Sequence, residues 1–261
     1  MNYFFFLDAD IPELDSSVEL FNKPPIKNLC KDSQTDLHII AFYSDGKSWI
    51  TCNLGKIKIG DYKIVYKKKL PHNFQNKSVF ISMFKEDFNN TKELPNDDSM
   101  KSIPNWRSNI KIIGKNCSCS YQGEIPGEMT EKKISLVSPS PMLEFSNDIS
   151  TTFILPNLLK NCSINEFILE ILDPNRKVIH KTKCFTNTMN FIDLNKINFH
   201  NKYKMFFFNA KNYGGVPIYF SRNKSLTMMS IEHTHPPTSF VRYGDIYFFQ
   251  KGMKQYWSEG F

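Results

Sequence analysis

EFILEILDPNRKVIHKTKCF, residues 166–185, is the stretch that decides the fold class. Two runs rich in β-branched and aromatic residues flank Asp173-Pro174-Asn175. Proline presets the φ a turn needs and asparagine tolerates the left-handed position, so the segment predicts a β-hairpin. Downstream, NFIDL (190–194), YKMFFF (203–208), VPIYFS (216–221) and SLTMMSIEH (225–233) read as further strands. Upstream, DLHIIAFY (36–43), SWITCNL (48–54), YKIVYK (62–67) and SVFISMF (78–84) have the same character, separated by turn signals such as Ser44-Asp45-Gly46 and Gly60-Asp61. Short strands at such spacing predict antiparallel sheet folded as a sandwich or barrel.

No long amphipathic helix lies between the strands, which argues against a doubly wound parallel sheet. The closing IYFFQKGMKQYW (246–257) predicts a strand that passes into a short helix. The expected architecture is all-β, with two packed antiparallel β-sandwich units and a short C-terminal helix. The first unit covers 36–130 and the second 131–261, with the boundary near the charged EMTEKK. Residues 1–35, with Pro12, Pro24 and Pro25, predict an irregular arm holding one short strand at Tyr3–Leu7. Residues 85–107 are acidic, Asn-rich and broken by two prolines, and predict a long polar loop.

With 41% hydrophobic and 23% charged residues over a length of 261, the composition is that of an ordinary globular chain. The 23 Phe and 11 Tyr point to a core built from sheet. The net charge of +7 is spread along the chain, apart from the run Lys67-Lys68-Lys69, which reads as a solvated strand end. A nucleic-acid binder clusters its basic residues, so nucleic acid is not an expected partner. The apolar run Tyr3–Leu7 is too short for a secretory signal, and no stretch is apolar for the length of a membrane span. A cytoplasmic protein is expected. The six cysteines are widely spaced apart from Cys117-Ser118-Cys119, which in a strand places both thiols on one face as core residues.

Three stretches carry candidate chemistry. IEHTHPPTSF (231–240) sets His233 and His235 on one strand face, with Glu232 turned to the other. Pro236 and Pro237 end the strand. Two imidazoles on one face can converge on a metal ion such as zinc, which needs a third ligand from His38, His72, His180, His200 or a carboxylate. SYQGEIPGEM (120–129) offers Tyr121, Gln122 and Glu124 around a Gly and Pro-Gly turn, the aromatic, amide and carboxylate groups that a sugar's hydroxyl face requires. Trp106 and Arg107, at the end of the polar loop, form a potential ligand platform. No phosphate-binding glycine loop or nucleophile elbow is present.

The expected function is therefore non-enzymatic binding or interaction. The ligand is carbohydrate or another polar small molecule, held by Trp106, Arg107, Tyr121, Gln122 and Glu124, with no cofactor. The alternative is a metal-dependent enzyme acting on a sugar or sugar nucleotide, with His233 and His235 holding a divalent ion.

Overall fold

The hairpin at residues 166–185 forms. Its first strand aligns Glu166 with Phe185 and Phe167 with Cys184, and the register shifts once between Ile171 and Leu172. The turn chemistry differs in detail from expectation. The Asp173 carboxylate accepts hydrogen bonds from the backbone N–H groups of Asn175 and Lys177, both at 2.9 Å. This cage shifts the left-handed position from Asn175 to Arg176, at φ 65°.

The computed structural model describes residues 2–7, 11–22, 35–96, 108–130, 136–140, 143, 146–197, 205–233, 240–242 and 245–247. Nine strands come from the first half: β1 (Asn2–Phe5), β2 (Asp15–Phe21), β3 (Leu37–Ser44), β4 (Trp49–Ile57), β5 (Tyr62–Tyr66), β6 (Phe80–Phe84), β7 (Ser108–Ile113), β8 (Ser118–Gly123) and β9 (Ile125–Pro126). The second half supplies β10 (Leu136–Pro139), β11 (Ile149–Asn157), β12 (Glu166–Leu172), β13 (Val178–Phe185), β14 (Thr188–Asp193), β15 (Phe207–Ala210), β16 (Ile218–Asn223) and β17 (Met229–His233). A short ladder of β18 (Phe240–Arg242) with β19 (Asp245–Tyr247) follows. The α1 turn (His72–Gln75) and three 3-10 turns are the helical elements described.

Every strand pairing is antiparallel, so the chain is all-β as expected. The strands form four main sheets, in the orders β4-β3-β6-β1-β9, β5-β2-β7-β8, β10-β15-β12-β13 and β14-β11-β16-β17. Two separate sandwiches are not what results. The fourth sheet buries both its faces. Phe153, Leu155 and Tyr219 enter a core with the third sheet, while Ile154, Ile218 and Phe220 enter the larger core of the first half. Four small sheets sharing apolar interior in this way give a propeller-like arrangement of four blades. The connectivity differs from that of a simple propeller, because the chain passes back and forth between sheets instead of completing each in turn.

The opening segment, expected as an irregular arm with one short strand at Tyr3–Leu7, holds that strand as β1 and adds β2, and the two lie inside the first and second sheets respectively. In DSSVELF, Val18 and Leu20 alternate inward, but Asp, Ser and Glu mask the pattern in sequence. The aromatic run beside it is wholly buried, and Phe42 is the hub of the first core. Its ring lies 5.4 Å from Trp49, 6.0 Å from Phe80 and 6.1 Å from Tyr3, with edge contacts to Trp49 and Tyr3. In the second core, Phe153 stacks on Phe208 at 4.2 Å.

Two further expectations change in part. Lys67–Lys69 follows directly on β5 as a 3-10 turn; Lys68 and Lys69 are exposed as expected, while Lys67 is only 5% exposed. The polar loop from residue 85 is tied down through residue 96. Thr91 exchanges backbone hydrogen bonds with Trp49, and Cys162 N–H donates to the Lys92 carbonyl at 3.0 Å. The Trp49 indole N–H donates to the Lys160 carbonyl at 2.9 Å, and Ser44 Oγ donates to the Cys162 carbonyl. The loop thus fastens the first half to the second. Residues 97–107 and the predicted C-terminal helix lie outside the described residues.

Candidate functional site

The two halves meet at a seam where β8, the edge of the second sheet, lies against β17, the edge of the fourth. Strand alternation turns Met229 and Ile231 toward the first core and leaves Ser230 and Glu232 exposed. His233 shares the inward face. Its ring lies 4.9 Å from that of Tyr121, tilted by 51°. The structure thus brings together two residues that the sequence places in separate candidate sites.

Tyr121 is not an open platform. It is 5% exposed, and its ring also lies 6.2 Å from that of Phe5. It also lies across the backbone of Gly123, where an added Cβ would stand 2.1 Å from the ring. Glycine is what this ring position requires. Gln122 alternates to the exposed side, so it does not share a binding face with Tyr121. Glu124 is partly buried between β8 and β9. Trp106, Arg107 and His235 lie outside the described residues.

Of the histidines proposed to complete a metal site, His38 on β3 meets Asn53 Nδ2 through Nδ1 at 3.0 Å. His72 opens α1 and His180 sits opposite Ile171 in the hairpin, while His200 lies outside the described residues. Among the described residues, no three His, Cys, Asp or Glu side chains gather where they could hold a metal ion. Cys117 and Cys119 line the same seam. Cys117 Sγ donates to the Leu226 carbonyl at 3.0 Å. Burial, with the neighbouring Cys117 adding to it, pushes the Cys119 thiol up to about 12. Burial likewise pushes Cys184 up to about 12. Such thiols stay protonated at neutral pH and are weak nucleophiles.

A second place where the halves meet was not singled out from sequence. A cleft of about 320 Å³ opens between the β1–β2 connection, the 3-10 turn, α1 and β14. Lys67, Lys68, Gln75, Lys77 and Phe191 line it, with Asp15 at one side. Local bonding fixes its walls. Gln75 Nε2 donates to the carbonyls of Lys68 and Leu70 at 3.0 and 2.9 Å. Asp15 Oδ1 accepts from the backbone N–H of Ser16 at 2.8 Å and of Lys68 at 3.3 Å. Ser78 Oγ and Thr188 Oγ1 share a hydrogen bond at 2.8 Å, and Ser78 Oγ accepts from Met189 N–H at 3.0 Å, which joins the two sides. The only sequence signal was the Lys67–Lys69 run together with Lys77, because Phe191 arrives from more than a hundred residues away.

No helix among the described residues is long and apolar enough to cross a membrane. Comparisons with family models, curated proteins and solved structures find no match for the chain.

Proposed function

We propose that this protein is a non-enzymatic binding protein for a saccharide or a similarly hydroxylated polar ligand, and that the ligand seats in the cleft between the halves. The observation that carries this reading is the make-up of that cleft. Lys67, Lys68, Gln75 and Lys77 line a volume of about 320 Å³ that is also bordered by Phe191, Ile11, Pro12 and Leu14. Small-molecule sites combine apolar surface with a few placed polar groups in clefts of about this size. A sugar ring presents the complementary pair of surfaces, a hydroxyl rim and a C–H face. The walls are held by backbone bonds through Asp15, Gln75 and Ser78, which lowers the ordering cost of binding.

The test is a glycan array on the full chain, followed by thermal-shift measurements with each hit. A saccharide that raises Tm in the parent protein, and loses its effect in Lys68→Ala combined with Lys77→Ala, supports the reading. Gln122→Ala and Trp106→Ala serve as the competing surface. Loss of binding in those variants alone returns the ligand to the β8 and polar-loop side, and absence of any saccharide hit removes the function.

A further inference from the structure

We infer that the ligand of this cleft is an anionic saccharide, with a sulfate, phosphate or carboxylate group placed against Lys68 and Lys77. This inference rests on the saccharide reading and deepens it by naming the charge. Three lysines and one carboxylate line the cleft among the described residues. That carboxylate, Asp15, already accepts two backbone hydrogen bonds, from Ser16 and Lys68. Lys67 is 5% exposed and has a partner of its own, so the anion is assigned to Lys68 and Lys77. A cleft in which one sign of charge predominates raises the local concentration of the opposite charge. The chain's net charge of +7 acts in the same direction.

The three consecutive lysines do not act alike. Lys69 does not line the cleft, and its Nζ lies 5.0 Å over the Tyr66 ring. Lys77 lines the cleft and carries its Nζ 5.9 Å over the Tyr43 ring, a contact that limits the freedom of the side chain. Lys69 is therefore the internal control: it has the same charge, one residue from Lys68, outside the cleft.

The experiment compares charged and neutral members of two pairs by isothermal titration on the full chain at low ionic strength. One pair is a heparin-derived hexasaccharide and its desulfated counterpart. The other is glucose 6-phosphate and glucose. Preference for the charged member of either pair by roughly tenfold or more supports the inference, since charge-assisted hydrogen bonds are of that size. Lys68→Gln combined with Lys77→Gln then abolishes the preference, while Lys69→Gln leaves affinity within about twofold. Equal binding of charged and neutral members overturns the anionic inference and leaves the saccharide reading standing. Absence of binding by any member, with no neutral hit on the array, overturns both. An equal loss in Lys69→Gln shows diffuse charge attraction and overturns the assignment to the cleft. A single-stranded oligonucleotide that binds as tightly as the best saccharide overturns the saccharide part.

Discussion

The halves of this protein touch in two contrasting ways. At the β8–β17 seam they meet through Tyr121, His233 and the backbone of Gly123, with Tyr121 almost wholly removed from solvent. At the cleft they meet through Ser78 and Thr188, and leave a volume bounded by Lys67, Lys68 and Lys77. The seam holds side chains that stand out in sequence, His233 of the H-x-H pair and Tyr121 close to Gly123. In the fold these groups fill each other's space. The cleft holds ordinary lysines around a lone aromatic, yet it has room for a ligand. An unusual motif marks where chemistry is dense, whereas a site also needs unfilled volume beside that chemistry.

The contrast has measurable consequences, and the largest lies at the seam. Tyr121→Ala removes a buried ring that touches both Phe5 and His233. Unfolding in urea is expected to show a loss of about 3–5 kcal/mol, the range for large aromatics cut to alanine. A loss under about 1 kcal/mol would mean that the seam opens in solution, and Tyr121 would return as a binding residue. Gly123→Ala follows. Its new methyl would sit 2.1 Å from the Tyr121 ring, and the ring has little space into which it can turn. Overpacking of this kind costs about 1–3 kcal/mol, and Tyr121→Ala combined with Gly123→Ala should cost less than the sum of the single changes.

The contact between Tyr121 and His233 can be isolated by a double-mutant cycle with Tyr121→Ala and His233→Ala. The expected coupling is about 0.5–1.5 kcal/mol, as for other tilted ring pairs. The same samples test the metal alternative. With no three-ligand cluster among the described residues, a chelator such as EDTA should leave the unfolding curve of the parent protein unchanged. Elemental analysis should find less than one equivalent of metal. A chelator-induced fall in Tm that disappears in His233→Ala would make the seam a metal site and reverse the comparison.

The parts of this molecule that were legible in sequence are those set by local pattern. Runs rich in β-branched and aromatic residues, bounded by turn signals, placed β3, β4, β6, β12 and β13 because each strand's own residues carry that signal. Alternation also set Glu232 opposite His233. Residues 15–21 were illegible because Ser16, Ser17 and Glu19 hide a strand whose burial depends on its neighbours β5 and β7. The sharing of the fourth sheet between two cores was equally hidden. Only tertiary packing tells Phe153 from Ile154 as members of different interiors. The nearness of Tyr121 to His233, and of Lys68 to Phe191, depends on the same long-range closure, which one sequence does not encode in any local period.

The smallest effect is expected at the cleft, and it is the one that most sharpens the comparison. Lys68 and Lys77 are exposed. Removing an exposed charge takes little from the folded state, so Lys68→Ala should change stability by no more than about 0.5 kcal/mol in urea unfolding. Lys77→Ala also loses the contact with Tyr43, for which an exposed cation–π pair contributes about 0.5–1 kcal/mol. If either change costs more than about 2 kcal/mol, that lysine is a structural member of a second packed joint, and the cleft loses its standing as a site. The expected combination is the opposite: near-neutral stability with lost ligand affinity. Side chains that can be removed without harm to the fold, yet line a shaped volume, are free to serve a ligand, whereas Tyr121 is already committed to holding the halves together.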